Sequence, residues 1–193
     1  MNKIFQIFMA IVLFWGALAY GEINTKGHKC LLPAQDFMEV DNCIFSSKTG
    51  QLFIAPTYIK ELSFEKHGLA VLYSSEEGWM YVNRKGRVVI SGVAAMDNGA
   101  DVFHDGLVRF TKDNKWGFAD VTGKIVVPAI YDCAFNFENG LAKVSHGCEL
   151  KCVDEGCEYF YFSGGEWFYI NTRGKIVKKD IFKEDSHEQR RTD

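Results

Sequence analysis

The chain repeats one short sequence pattern four times, and this repeat constrains the fold more than any other feature. The copies are NCIFSSKTGQLFIA at 42–55, GWMYVNRKGRVVIS at 78–91, KWGFADVTGKIVVP at 115–128 and EWFYINTRGKIVKK at 166–179. Each copy contains one turn glycine, and these glycines are 36, 37 and 51 residues apart: Gly50, Gly86, Gly123 and Gly174. A repeat of this length indicates one supersecondary unit that packs against copies of itself.

Each copy has the pattern of a β-hairpin, because apolar residues alternate with small or polar ones. Three residues before the glycine, a Ser, Asn or Asp can accept hydrogen bonds from the backbone, while the glycine can adopt a positive φ. The pattern therefore predicts a type I turn that closes through a bulge.

An aromatic side chain lies five residues before each turn glycine, and a tryptophan lies seven residues before the last three, where the first copy has Cys43. We expect them to form the core of the repeat: Phe45, Trp79, Tyr81, Trp116, Phe118, Trp167 and Tyr169. Alternatively, the tryptophans could form an exposed ladder for sugar rings or an apolar peptide. We favour burial, because positions that stack neighbouring repeats gain most from a large side chain.

A third strand opens each unit, at 68–73, 106–110 and 140–144. The sequence therefore predicts an all-β domain at 20–177, built from about four antiparallel three-stranded meanders near 30–64, 68–103, 106–137 and 140–177. One such meander is only marginally stable alone. We expect the units to stack as a solenoid, an open barrel or a propeller-like array, stapled by disulfides.

Both ends of the chain differ from the repeats. Residues 1–19 combine Lys3, an apolar run and the small residues Ala17 and Ala19, which is the pattern of a cleaved signal peptide. The run is short for a membrane span. We therefore expect a periplasmic or secreted bacterial protein with no transmembrane segment after cleavage. The polar residues 178–193 are predicted to be disordered.

Charge and cysteine content narrow the partners and the compartment. The chain has 22 Lys and Arg against 25 Asp and Glu and no basic stripe, which argues against a nucleic-acid partner. Six cysteines in an exported chain predict three disulfides, although fifteen pairings are possible: Cys30, Cys43, Cys133, Cys148, Cys152 and Cys157. We favour Cys30 with Cys43, and at least one bridge that involves the cluster 148–157.

Residues 106–144 read GLVRFTKDNKWGFADVTGKIVVPAIYDCAFNFENGLAKV, with the pair Trp116-Gly117 and with Pro128. This segment resembles the WG-repeat family of bacterial exported proteins. The resemblance implies a β-repeat module, usually exported or surface-associated, for which no common enzymatic activity is established. We accordingly expect no catalytic residues, no metal and no cofactor.

One insertion interrupts the repeat. The opening glycine and the tryptophan are 27 residues apart in the fourth unit, against 11 and 10 in the second and third. Insertions in repeat proteins often form the binding face. The candidate binding residues are Glu149, Asp154, Glu155, Tyr159 and Tyr161. The alternative is a disulfide-stapled hairpin extension that binds nothing.

Known chemical signatures are weak in this sequence. His146 and the neighbouring cysteines lack the paired spacing of a zinc site, and thiols in an exported protein should be oxidised. Ser145 and His146 are adjacent on a predicted strand, so their side chains point to opposite faces. Asp97 and Asp101 lack the spacing of a calcium loop.

The sequence therefore favours an exported β-repeat module that recognises a protein or an envelope polymer through its loops. An inhibitor or immunity protein against a toxin or hydrolase is a second hypothesis. A hydrolase of envelope polysaccharide is a third. The sequence leaves the partner and the oligomeric state open.

Overall fold

The computed structural model describes residues 27–32, 38–96, 99–153, 156 and 160–179. The expected signal peptide and residues 180–193 of the expected tail lie outside this range. Within it the protein is all-β, and its short helix α1 is Pro56–Ile59. The strands are β1 His28–Leu32, β2 Met38–Ser46, β3 Leu52–Ile54, β4 Leu69–Ser74, β5 Gly78–Asn83, β6 Val88–Val93, β7 Ala95–Met96, β8 Gly99–Ala100, β9 Leu107–Lys112, β10 Lys115–Asp120, β11 Ile125–Tyr131, β12 Cys133–Ala134, β13 Leu141–Cys152, β14 Phe160–Asn171 and β15 Ile176–Lys179.

The described residues form two compact units. The first comprises residues up to 76 together with 82–88, and the second comprises 77–81 together with the residues from 89 onwards. In the first unit, antiparallel strands follow the order β4-β1-β2-β3. The buried apolar side chains of these four strands and of the segment after α1 are Cys30, Leu32, Cys43, Ile44, Ile54, Leu62, Leu69, Ala70 and Leu72.

The second unit contains the third and fourth copies of the repeat. Strands β11-β10-β9-β6 are neighbours in one sheet, and β12-β13-β14-β15 form a four-stranded antiparallel sheet. One hydrophobic core joins them: Leu107, Phe118, Val127, Tyr131, Ala134, Phe137, Ala142, Val144 and Ile170. Strand β15 continues to Lys179, two residues into the segment that the sequence predicts as a disordered tail, because its backbone pairs with β14.

The four repeated turns share one geometry, as the sequence predicts. Each turn glycine has φ between +74° and +84°. Its N–H donates to the carbonyl oxygen three residues earlier, at 2.8–2.9 Å. The Ser, Asn or Asp side chain at that earlier position accepts the N–H four residues on, at 3.0–3.1 Å. Local hydrogen bonding therefore determines the turn in all four copies.

Three of these glycines lie against the strand that follows the preceding turn. A Cβ on Gly123 would lie 2.2 Å from the Val89 carbonyl oxygen, and one on Gly174 would lie 3.0 Å from Val127 Cγ2. A Cβ on Gly86 would lie 3.0 Å from Ile54 Cγ2. A Cβ on Gly50 would meet no described atom within 4 Å. In consecutive copies, the turn of one copy therefore packs against the strand that follows the turn of the copy before it.

The expected aromatic core needs correction. Phe118 and Tyr81 are buried, with exposed fractions of 0% and 6%, whereas the other five residues of the set are only partly buried: Phe45, Trp79, Trp116, Trp167 and Tyr169. Trp79 and Trp116 are each the second residue of a strand, so the residues that cover the strand centre do not enclose them. The buried aromatic position of the two middle copies is therefore the one five residues before the glycine.

The structure contains two disulfides between described residues. Cys30 pairs with Cys43, the pair favoured by the sequence, and Cys133 pairs with Cys148. Cys152 is also disulfide-bonded. Cys157 lies outside the described residues.

Candidate functional site

The insertion of the fourth unit extends a hairpin. Strands β13 and β14 pair from Leu141 with Asn171 to Cys152 with Phe160. Both strands have twelve residues, twice the length of β9 and β10 in the preceding copy. The additional residues therefore continue the β-ladder of the repeat rather than form a separate loop.

Glycines bend this hairpin where the insertion begins. Gly147, Gly164 and Gly165 all have positive φ, between +70° and +85°. A Cβ on Gly165 would lie 2.3 Å from Ser145 Oγ and 2.7 Å from the Cys148 nitrogen, so only glycine fits there. The bend shifts the alternation of side chains, and Phe162 consequently shares a face with Trp167.

A disulfide and two hydrogen bonds hold the bend in place. The Cys133–Cys148 disulfide ties β13 to β12. Asp132 accepts hydrogen bonds from the Gly147 N–H, at 2.8 Å, and from the Lys115 ammonium. The hydrogen bond from Lys115, followed by that from Gly147, lowers the pKa of the Asp132 carboxyl. The base of the extension is therefore constrained covalently and electrostatically.

Six partly or largely exposed aromatic side chains of the second unit come from β10, from the residue after β12 and from β14, and we call them the aromatic face: Trp116, Phe135, Phe160, Phe162, Trp167 and Tyr169. The Phe162 ring centroid is 6.1 Å from that of Trp116, 5.3 Å from Phe135 and 6.2 Å from Trp167. The centroids of Phe135 and Trp167 are 5.5 Å apart. All six rings are partly or largely exposed. Leu150, opposite Phe162, is 48% exposed and extends this apolar surface.

Cationic groups lie over the rings of the aromatic face. Lys143 Nζ is 5.1 Å from the ring centroid of Trp167, and Lys178 Nζ is 5.8 Å from that of Tyr169. Tyr169 is paired with Lys143 on one side and with Lys178 on the other. Such contacts are favourable because the face of an aromatic ring carries negative potential.

A buried ion pair lies next to Trp116 of the aromatic face. Arg109 Nε donates to Asp101 Oδ2 at 2.8 Å, and Arg109 Nη1 donates to the Ala134 carbonyl at 2.9 Å. Both charged side chains are at least 96% buried. The Arg109 guanidinium also lies 5.4 Å from the ring centroid of Trp116. Asp101, considered above as a calcium ligand, is thus the partner of an arginine.

The structure gives no support to the chemical sites weighed from the sequence. Cys148 is oxidised, and Ser145 is buried with its hydroxyl donating to the Glu166 carbonyl. Among the described residues, no three His, Cys, Asp or Glu side chains are grouped to hold a metal ion. In the same residues, no helix has the length and apolar character to cross a membrane.

The expected binding residues of the insertion are only partly described. Glu149 pairs with Ser163, and Tyr161 pairs with Lys151, so both lie on the side of the hairpin opposite Phe162. Asp154, Glu155 and Tyr159 lie outside the described residues. Sequence reasoning missed Phe160, Phe162 and Phe135. Cys148, Leu150 and Cys152 are alternate residues of β13, so their side chains share one face. The partners of the last two on β14 are Phe162 and Phe160. Period-two alternation along both strands would therefore have identified these two phenylalanines.

Comparison with known proteins gives one match. Residues 116–147 match the family model described as WG containing repeat. This segment begins at Trp116 of the aromatic face and ends at Gly147 of the bend, so it includes β10, β11, β12 and the first half of β13. The WG-repeat family is not a known enzyme family. The chain matches no curated protein and no solved structure. The resemblance to WG-repeat proteins is therefore confirmed, through a WG containing repeat at residues 116–147.

Proposed function

We propose that this protein is an exported, non-catalytic binding module and that the aromatic face is its docking surface. One observation carries the proposal: five rings whose centroids are 5.3–6.4 Å from those of their neighbours remain partly exposed, although one of them, Trp116, also packs against the core. Clustered exposed apolar groups on a soluble protein typically mark an interaction site.

The surroundings of the face favour tight binding. Aromatic side chains have few rotatable bonds, so they lose little entropy when a partner covers them. The disulfide, the Asp132 hydrogen bonds and the ring contacts order the face before any partner arrives. Preorganisation of this kind raises affinity because less conformational freedom is lost on binding.

The disulfides support the proposal that the protein is exported. Disulfides persist in the periplasm and outside the cell, whereas cytosolic thiols are kept reduced. All five cysteines in the described part of the chain are oxidised, which is consistent with export by the proposed signal peptide at 1–19.

An inhibitor or immunity role is the second candidate. The observation that favours it is the stapled hairpin, on which Leu150, Val153 and Phe160 are 48%, 59% and 45% exposed. A rigid hairpin with apolar side chains near its end could occupy the cleft of a toxin or hydrolase. The identity of the partner recovered in the following experiment distinguishes an inhibitor or immunity protein from the binding module proposed first.

The test compares retention of envelope components by the wild-type protein and by two variants. Phe160→Ser removes a ring that is 45% exposed, and Ile130→Ser is a matched control on β11 that is 49% exposed. We expect Phe160→Ser to reduce retention strongly and Ile130→Ser to leave it unchanged, with both melting temperatures close to that of the wild type. Equal retention by all three proteins would refute docking at this face.

A further inference from the structure

We infer that the buried Arg109 is a positioning residue of the aromatic face, because its guanidinium fixes Trp116 and Phe135, two rings that contact Phe162. This inference rests on the proposed function, since it concerns the order of the same face. Its basis is the set of contacts that one buried side chain makes to three separate segments of the second unit.

The first contact joins Arg109 to Trp116. Arg109 on β9 pairs with Phe118 on β10, and Trp116 is two residues before Phe118. Arg109 and Trp116 are therefore diagonal neighbours on one face of the sheet. The guanidinium carbon Cζ lies 5.4 Å from the centroid of the Trp116 ring. The ring attracts a cation at this distance, and more strongly where water is excluded. Arg109 consequently restricts the orientations of the Trp116 ring.

The second contact fixes the peptide group that leads into Phe135. Arg109 Nη1 donates to the Ala134 carbonyl oxygen at 2.9 Å, and the Phe135 N–H of the same peptide group donates to the Lys143 carbonyl oxygen at 2.9 Å. Ala134 is fully buried, so water has no access to replace the bond from Arg109. Because this peptide group is bonded at both ends, the Phe135 side chain leaves the backbone in a fixed direction.

Stability alone does not account for a charged pair at this place. Arg109 and Asp101 are at least 96% buried, and removing two charges from water commonly costs more than their attraction returns. In the described part of the chain, Arg109 Nη2 is also buried without a hydrogen-bond partner. Apolar residues of similar volume avoid both costs. They do not provide a planar group that bonds to Asp101 and Ala134 and lies against Trp116 at the same time.

The fourth copy of the repeat contains an equivalent contact. Arg109 and Lys143 are each three residues after the glycine that opens their unit, and each pairs with the aromatic residue five before the turn glycine. Lys143 Nζ lies 5.1 Å from the ring centroid of Trp167. In both copies a cation of the opening strand thus lies over the tryptophan of its own unit. The second copy has the apolar Val71 at this position.

The inference is tested by nuclear magnetic resonance of the Trp116 indole N–H, assigned by its absence in Trp116→Phe. The double variant Asp101→Leu with Arg109→Met removes the guanidinium and leaves neither charge of the pair. Arg109→Lys keeps the charge but has only one nitrogen. We expect the heteronuclear Overhauser effect of the Trp116 indole to fall in both variants, because the ring gains motion on the picosecond to nanosecond time scale.

Two controls accompany this measurement. Trp79 has the same position in the second copy, and its indole signal should not change. Lys112→Gln removes an exposed cation from the same strand as Arg109 and should leave the order of both rings unchanged. Wild-type order of the Trp116 ring in the double variant overturns the inference. If the double variant does not fold, wild-type order in Arg109→Lys overturns it.

The effect on binding is measured by titrating the immobilised protein with the envelope extract used for Phe160→Ser. Rings that are mobile before binding must be ordered by the partner, so the double variant should need about two- to tenfold more extract for half-maximal retention. If Phe160→Ser loses retention but the double variant does not, Arg109 has no positioning role and the docking face stands. If Phe160→Ser retains the partner at full strength, the proposed function is wrong, and the order of the Trp116 ring alone decides whether Arg109 positions it.

Discussion

The stacking of consecutive copies can be measured by adding one methyl group to each turn glycine. Gly50, Gly123 and Gly174 have φ of +80°, +84° and +75° in turns of the same hydrogen bonding. Substitution by alanine therefore imposes a similar backbone strain at each, about 1–2 kcal/mol for a left-handed conformation. The three sites differ in what the new Cβ meets.

The contacts predict a graded loss of stability. Gly50→Ala meets no described atom within 4 Å and should cost only the backbone strain. Gly174→Ala lies 3.0 Å from Val127 Cγ2, a side-chain atom that can move, and should cost slightly more. The new Cβ of Gly123→Ala lies 2.2 Å from the Val89 carbonyl oxygen, so the turn and β6 must separate. Overpacking of this kind adds about 1–3 kcal/mol, giving a total of about 2–5 kcal/mol.

Urea unfolding followed by far-ultraviolet circular dichroism measures these free energies. Gly174→Ala is the internal comparison, because it lies in the same compact unit as Gly123. The expected order of destabilisation is Gly123→Ala, then Gly174→Ala, then Gly50→Ala. Equal losses at Gly50 and Gly123 would show that the turn alone requires glycine and that the packing of turn upon strand contributes nothing.

Three further predictions concern the second unit. Arg109→Met should lower the free energy of unfolding by about 3–5 kcal/mol, because it leaves the Asp101 carboxylate buried without its cation; replacing both residues by apolar ones should restore part of the loss in thermal melts. Changing Cys133 and Cys148 together to Ser should cost about 3 kcal/mol for a loop of 15 residues, measured against the wild type with and without reductant. The lowered pKa of Asp132 means that its contribution is present above about pH 3.9 and is lost as the pH falls through the folded-state pKa. Asp132→Asn should therefore be less stable than the wild type at pH 7 and should lose less on acidification below about pH 4, in melts taken across that range.

Sequence reasoning succeeds where a residue acts on its own neighbours in the chain. The Asp120 side chain accepts the N–H groups of Thr122 and Lys124, and Gly123 then takes a positive φ, all within five residues. Alternation over six residues likewise predicts the strand that buries Phe118. These features depend on local hydrogen bonds and on period-two geometry, which a sequence displays directly.

Sequence reasoning was less successful where burial depends on neighbours distant in the chain. Trp116 has the size and the repeated position of a core residue, yet it remains partly exposed beside Phe162, 46 residues later. The Arg109–Asp101 pair is equally invisible in the sequence. An arginine in a strand is ordinarily solvated, and only the packing around Ala134 encloses this one.

The sequence by itself determined the β-hairpin repeat and the four turns, since both follow from spacing and local backbone chemistry. It favoured the Cys30–Cys43 pair without determining it, and the structure contains that pair. Only the tertiary structure decided which aromatic rings are exposed together. The bend at Gly147, Gly164 and Gly165 changes the side on which later residues point, and the Cys133–Cys148 bridge holds it there. The positive φ of these glycines interrupts the alternation of side chains, while the pairing of β13 with β14 keeps one register from Leu141 to Cys152. The composition of the aromatic face is consequently a property of the fold.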